Sequence, residues 1–290
     1  MSLNINKNIL NLSNIGITLC TICCLSTGII AYRNSRPKQI ELDTPIRGCD
    51  ISSHQVYTNW DEMYKNYDFI IIKATSGNEV DSKFEENYNN AKKHHIDVGI
   101  YTHNAMSTVN SNSLEEFTKG TNERIDLLLD NLTDKRINYH VYLDIEFSKT
   151  PIDKALPKEY ANALINTFYN KMIDNGYIPG IYSNYSTYNY LKENVDDIDK
   201  LEIWLAGGEK YDTVTSIEKT NSNNKLFSDD VKMVQSYQYA VNGGAGDSLG
   251  HLDVDYSNID YYHKEIDYKD YGIAAGSLAV GTLILYKKRH

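Results

Sequence analysis

The chain has 290 residues, 23% of them charged and 41% hydrophobic, which excludes both a disordered chain and a multi-pass membrane protein. Its formal charge of −10 excludes nucleic acid as the main partner, since phosphate binding needs a concentrated basic surface. The acidity is central: Asp43 to Asp267 holds 37 acidic and 21 basic residues, so an acidic domain lies between two basic-flanked ends.

Residues 1–14 read as a tail. From 15 to 32 the chain is uncharged and nearly all apolar or small, bounded by Lys7 before it and Arg33, Arg36 and Lys38 after it. At about 1.5 Å per residue this reads as a transmembrane segment or signal anchor, with a cleaved signal peptide as the rival. Residues 33–45 read as a linker and 46–265 as the main domain. Residues 271–286 form a second uncharged run stopped by Lys287, Lys288 and Arg289. It reads as a short C-terminal transmembrane segment, with 287–290 as a basic tail. Gly272 and Gly276 have the spacing that lets such spans pack as a homodimer. Three of the four cysteines, Cys20, Cys23 and Cys24, lie in the first apolar run, so the domain, with Cys49 alone, holds no internal disulfide.

Within the domain, strand and helix patterns alternate. Asp68–Thr75 is a β-rich run, Phe84–His95 a helix and Asp97–Tyr101 a strand. Ser113 and Glu116 have capping-box spacing ahead of a helix carrying Phe117, Leu128 and Leu132. His140–Phe147 is a strand. Pro157 opens a helix that Gly176 stops. Further strands cover Tyr177–Ser183, Leu201–Ala206 and Val231–Ala240, and Thr213–Asp230 reads as a loop. The expected fold class is α/β, an irregular TIM-like (β/α) barrel flanked by N- and C-terminal transmembrane segments.

The strand from His140 to Phe147 carries the chemistry. Val141, Leu143, Ile145 and Phe147 alternate with His140, Tyr142, Asp144 and Glu146, and period-2 geometry puts the two sets on opposite faces. In a barrel the outer face is covered by helices, so the apolar set should face outward. Asp144 and Glu146 then point toward the axis at the strand's C-terminal end, where such barrels place catalysis. Asp50, at the end of the first domain strand, and Asp253, after the last, should face that pair if first and last strands lie side by side. Clustered carboxylates raise one another's pKa, which suits hydrolysis of a glycosidic bond. A divalent-metal site is the competing use of four carboxylates.

In this order and spacing the segments resemble family-25 glycoside hydrolases, the N-acetylmuramidase lysozymes. The matching stretches are Asp50-x-Ser52-x-x-Gln55, Ile71–Thr75 with Gly77, Asp81-x-x-Phe84, Val98–Tyr101, Asp144-Ile-Glu146, Gly180-Ile-Tyr182, Ile203-Trp-Leu205, Gln238-Tyr239 and Asp253-Val-Asp255. The resemblance implies Glu146 as general acid/base, Asp144 as stabiliser or orienter of the substrate's 2-acetamido group, and Asp50 and Asp253 completing an acidic floor. It implies cleavage of the β-1,4 bond between N-acetylmuramic acid and N-acetylglucosamine with retention; membrane tethering suits local wall remodelling or lysis, and no cofactor or metal is expected, since clustered His ligands are lacking. Tyr101, Tyr182, Trp204, Tyr237 and Tyr239 are candidate substrate contacts, because an aromatic ring offers apolar area with a polar tip, with two or three expected in the groove and core packing the alternative for each; Gln55 is a further candidate. The expected partners are peptidoglycan glycan strands and, through the terminal segments, membrane lipid, with the domain facing outward at the cell membrane. The alternative is a catalytically silent wall-binding module. Three departures from the family pattern motivate it: Ser76 replaces a Glu, Tyr237 a Trp, and Tyr101-Thr-His103 the usual Tyr-His-Phe.

Overall fold

The computed structural model describes residues 38–103, 111, 113–146, 156–207, 227–238 and 243–262. The apolar stretches 15–32 and 271–286, with Gly272 and Gly276, lie outside these residues, as does Tyr239. Among the described residues no helix is long and apolar enough to cross a membrane.

Among the described residues eleven strands and five α-helices follow one another. The strands are β1 (Lys38–Ile51), β2 (Tyr57–Thr58), β3 (Phe69–Ser76), β4 (Glu79–Val80), β5 (Asp97–His103), β6 (Val141–Asp144), β7 (Pro179–Asn184), β8 (Glu202–Ala206), β9 (Val231–Gln238), β10 (Ala245–Gly246) and β11 (Leu252–Tyr262). The helices are α1 (Trp60–Asn66), α2 (Phe84–Lys93), α3 (Leu114–Leu132), α4 (Lys158–Asp174) and α5 (Tyr185–Asn194). The sheet order β1-β11-β9-β8-β7-β6-β5-β3 closes on itself, because β1 also pairs with β3. The pairings from β3 round to β9, and β1 with β3, are parallel, whereas β11 runs antiparallel to β9. The α/β barrel is therefore present, made irregular by its last strand. Gln39–Tyr261 forms one compact unit; the other, residues 1–38 and 262–290, lies almost wholly outside the described residues.

Local chemistry explains the helix boundaries. The Ser113 hydroxyl accepts from the Glu116 amide at 3.1 Å, satisfying an amide that α3 leaves orphaned. Pro157 caps α4, whose chain passes through Asn175 and then Gly176 at φ +86°, a conformation costly for side chains. Two helices were not expected from the pattern. α1 and α5 are short and polar, and each starts at an asparagine, Asn59 or Asn184, whose side chain accepts an amide of the first turn. The linker reading also meets a difference: β1 already begins at Lys38.

The barrel wall separates two cores. The outer one joins Val98, Ile100, Val141, Leu143 and Ile145 to helix residues such as Phe117, Leu128, Leu164 and Phe168. The inner one contains Phe69, Ile71, Tyr101, Tyr139, Tyr142, Trp204, Met233 and Ile259, all from strands or their approaches and none from helices. The alternation read from His140 to Phe147 is realised over a shorter strand, with Val141, Leu143 and Ile145 under helices and Tyr142 inside, while Glu146 lies exposed beyond β6 and Phe147 lies outside the described residues. Glycines make room for the inner rings. A Cβ on Gly180 would sit 2.5 Å from the Tyr142 ring, and one on Gly48 would collide with Phe69.

Candidate active site

Asp50 is the penultimate residue of β1 and Asp144 the last of β6. Because β11 is antiparallel, its start lies where the parallel strands finish, so Asp253, the second residue of β11, joins the same mouth. The sequence expected Asp253 just beyond the last strand. It sits inside an additional strand, which the closed barrel requires between β9 and β1. Glu146 lies two residues beyond β6 and is exposed, whereas Asp144 is buried. Convergence shows at the Tyr182 hydroxyl, whose ionisation is opposed by burial and then by Glu146, Asp50 and Asp144 together. The terminal amide of Asn184, at the end of β7, approaches Glu146 Oε1 at 3.5 Å, the outer limit of such a contact.

Burial dominates the electrostatics of the floor. It pushes the Asp144 carboxyl up to about 8, reinforced by Glu146 and opposed by Lys73. Oδ1 of Asp144 is buried without a hydrogen-bond partner, consistent with a neutral group at pH 7. Asp50 is driven well above the carboxylate range by burial, then by Asp253, while a hydrogen bond from Gln235 opposes the rise. Asp253 is raised by burial and by Asp247, against His251. Lys73 is the cation of this floor; its ammonium lies 5.3 Å from the Tyr101 ring centre. Beneath sits Asp255, fully buried, accepting from Trp204 Nε1 at 2.9 Å and raised by burial and by Asp50. Among the described residues no group of three His, Cys, Asp or Glu side chains is placed to hold a metal ion.

The expected sugar contacts fall into different environments. Trp204 is only 1% exposed, with Tyr182, Tyr142 and Tyr101 rings at 4.5, 5.1 and 6.2 Å, so it presents no open face to a sugar. It plugs the barrel beneath the acids. Tyr101 is 9% exposed, and Tyr182 commits its hydroxyl to Gln235 Oε1 at 2.6 Å. Gln55 turns its amide oxygen inward to the Ser52 amide at 2.6 Å, shaping the loop after β1 instead of offering that oxygen to ligand. That loop is clamped further by Ser53, whose amide and hydroxyl both donate to Asp81 Oδ2, and by Lys83 Nζ donating to the Gln55 carbonyl. Tyr237 lies on β9 in register with Asp253.

Three groups of the floor carry no assigned role in the sequence reading: Lys73, Gln235 and Asp255. Asp255 had a signal, since it shares the Asp253 face of a period-2 strand. Lys73 had one too, as the lone charge in an apolar run. Gln235 had none, because an amide in a mixed strand carries no mark of what it spans.

Comparison with known proteins agrees with this geometry. The family model described as glycosyl hydrolases family 25 matches residues 49–248. No curated protein matches the sequence. Among solved structures, the spore cortex lytic enzyme SleM of Clostridium perfringens has a TM-score of 0.55 at 18% identity, covering 75% of this chain and 68% of that one. A family GH25 lysozyme of Aspergillus fumigatus has a TM-score of 0.54 at 22% identity, covering 74% and 94%. The autolysin LytC of Streptococcus pneumoniae, solved with a synthetic peptidoglycan ligand, has a TM-score of 0.53 at 17% identity, covering 78% and 48%, so this chain spans about half of it. At these identities the likeness speaks for the fold alone, while the family match covers most of the chain and includes Asp50, Asp144 and Glu146. The chain belongs to family 25 of the glycosyl hydrolases and is a glycoside hydrolase.

Proposed function

We propose that this peptidoglycan hydrolase cuts the β-1,4 bond from N-acetylmuramic acid to N-acetylglucosamine, with retention and from a membrane-held position. The observation that carries the reading is the contrast at the end of β6: an exposed carboxyl, Glu146, beside a buried one, Asp144, held to about 8. Glu146 reaches solvent and substrate and donates the proton to the leaving glycosidic oxygen. Asp144 and Asp50, both raised above the carboxylate range chiefly by burial, turn carboxyl oxygens toward the anomeric centre and stabilise the positive charge that develops there. Asp253 completes the negative mouth. No side chain here needs to serve as nucleophile if the substrate's 2-acetamido oxygen attacks the anomeric carbon. Glu146 then returns as base to activate water, which preserves the configuration. The test is digestion of purified peptidoglycan, with mass spectrometry of the reducing ends and NMR of the anomer first formed. Muramic-acid ends released as the β-anomer support the proposal. Ends at N-acetylglucosamine, or initial α-anomer, contradict it.

Placement follows from substrate chemistry and the terminal sequences. Peptidoglycan lies outside the cytoplasmic membrane, so the domain faces outward, held by the apolar segments 15–32 and 271–286 or, if the first is cleaved, by the second alone. The basic residues Lys287–Arg289 fit a cytoplasmic C-terminus. Protease added to intact wall-stripped cells should degrade the region from Asp43 to Asp267; complete protection until lysis would place it inside.

A further inference from the structure

We infer that Gln235 is a positioning residue that fixes Asp50 across the mouth from Asp144, through a relay that ends on Tyr182. The inference rests on the muramidase reading above and assigns a role to a side chain that reading leaves idle. From β9, Gln235 reaches past β11 to β1, where Nε2 donates to Asp50 Oδ2 at 2.7 Å. In the other direction it reaches past β8 to β7, where Oε1 accepts from the Tyr182 hydroxyl at 2.6 Å. Both contacts are short, and they use opposite ends of one amide, so neither forms without setting the side chain's orientation for the other. Tyr182 is itself in register with Asp144 on β6. The relay therefore ties the β1 acid to the strand neighbour of the β6 acid, and the amide sets the spacing between the two carboxyls. The wall behind is rigid: Gln235 pairs with the fully buried Asp255 on β11, and its carbonyl accepts the Gly207 amide at 2.8 Å. An amide is the side chain that can do both tasks, since a carboxylate could accept from Tyr182 but not donate to Asp50. The donated N–H also favours the ionised form of Asp50 against its burial.

The experiment is a cycle with Gln235→Leu, Asp50→Asn and the double variant, read as kcat, KM and the pH dependence of kcat/KM on peptidoglycan. Gln235→Leu is expected to lower kcat roughly tenfold with KM nearly unchanged, the scale of one hydrogen bond to a charged group. The limb on which activity rises with ionisation of Asp50 should move to higher pH, because the donor that favoured ionisation is gone. In the Asp50→Asn background Gln235→Leu should cost nothing more, since it acts through that carboxyl. Gln235→Glu, which keeps the shape, should recover activity at low pH, where a proton restores the donor. Losses that multiply in the double variant, or an unchanged kcat and pH profile, overturn the inference. Crystal structures of wild type and Gln235→Leu decide it without activity: Asp50 should leave its position opposite Asp144, and an unmoved Asp50 overturns the relay. A wild type that leaves peptidoglycan intact counts against the muramidase reading instead, and the two crystal structures still decide the relay.

Discussion

The two halves of the barrel interior are built from the same strands and obey opposite rules. In the lower half Phe69 stacks on Tyr139 at 4.7 Å, and Ile259, Met233 and Ile71 complete a dry plug. The Tyr139 hydroxyl there donates to the Ile259 carbonyl at 2.9 Å. In the upper half Asp50, Asp144, Asp253 and Asp255 crowd together, and oxygens of Asp144 and Asp255 lie buried without partners. The lower half gains stability from burial; the upper half surrenders some to bury carboxyls, which the proposed reaction would use to stabilise a cationic transition state. Trp204 divides them, with its ring in the plug and its N–H on Asp255. The burial of the acids is unfavourable, and the plug beneath makes it tolerable.

Substitutions on each side of this divide should behave differently. The largest stability loss is expected in the plug: Phe69→Ala should cost about 3–5 kcal/mol in denaturant unfolding, because a fully buried ring leaves a cavity. Gly48→Ala should cost about 1–3 kcal/mol by the same measurement, since its new methyl meets the Phe69 ring. In the upper half the sign reverses. The folded state holds a proton on Asp144 up to about pH 8, whereas the unfolded chain loses it near pH 4. Asp144 therefore lowers stability increasingly as pH rises through that window. Calorimetry should show Asp144→Asn melting a few degrees above wild type at pH 8 and level with it below about pH 4, while activity falls severely. The smallest effect belongs outside the barrel. Ser113→Ala should cost about 1 kcal/mol through loss of the α3 cap, with turnover unchanged.

The outer architecture was legible because it follows from periodicity and capping. Alternation on β6 told which face meets helices, and Ser113, Pro157 and Gly176 marked helix ends. α1 and α5 were not legible: Tyr185–Asn194 is a Tyr- and Asn-rich stretch of modest helix propensity, held in place by its Asn184 cap and by Tyr188 and Leu191 against the core. That Asp50 and Asp144 lie at strand ends was readable, whereas the extra strand that carries Asp253 was not. The aromatic assignments were weaker, because a strand shows which face a ring is on but not its depth. Trp204 and Tyr182 share the inward face, and only the closed barrel reveals that the first is sealed and the second spends its hydroxyl on Gln235.

The central claim, that the exposed carboxyl at the end of β6 does the chemistry while the plug supplies the stability, is tested most directly by Glu146→Gln. Initial rates on purified peptidoglycan and melting temperature should be measured on the same preparation beside wild type. The account predicts a rate lower by roughly 10²–10⁴-fold, the range for loss of a general acid, with the melting temperature essentially unmoved, as Glu146 is exposed. Near-wild-type turnover by a folded Glu146→Gln protein would contradict it.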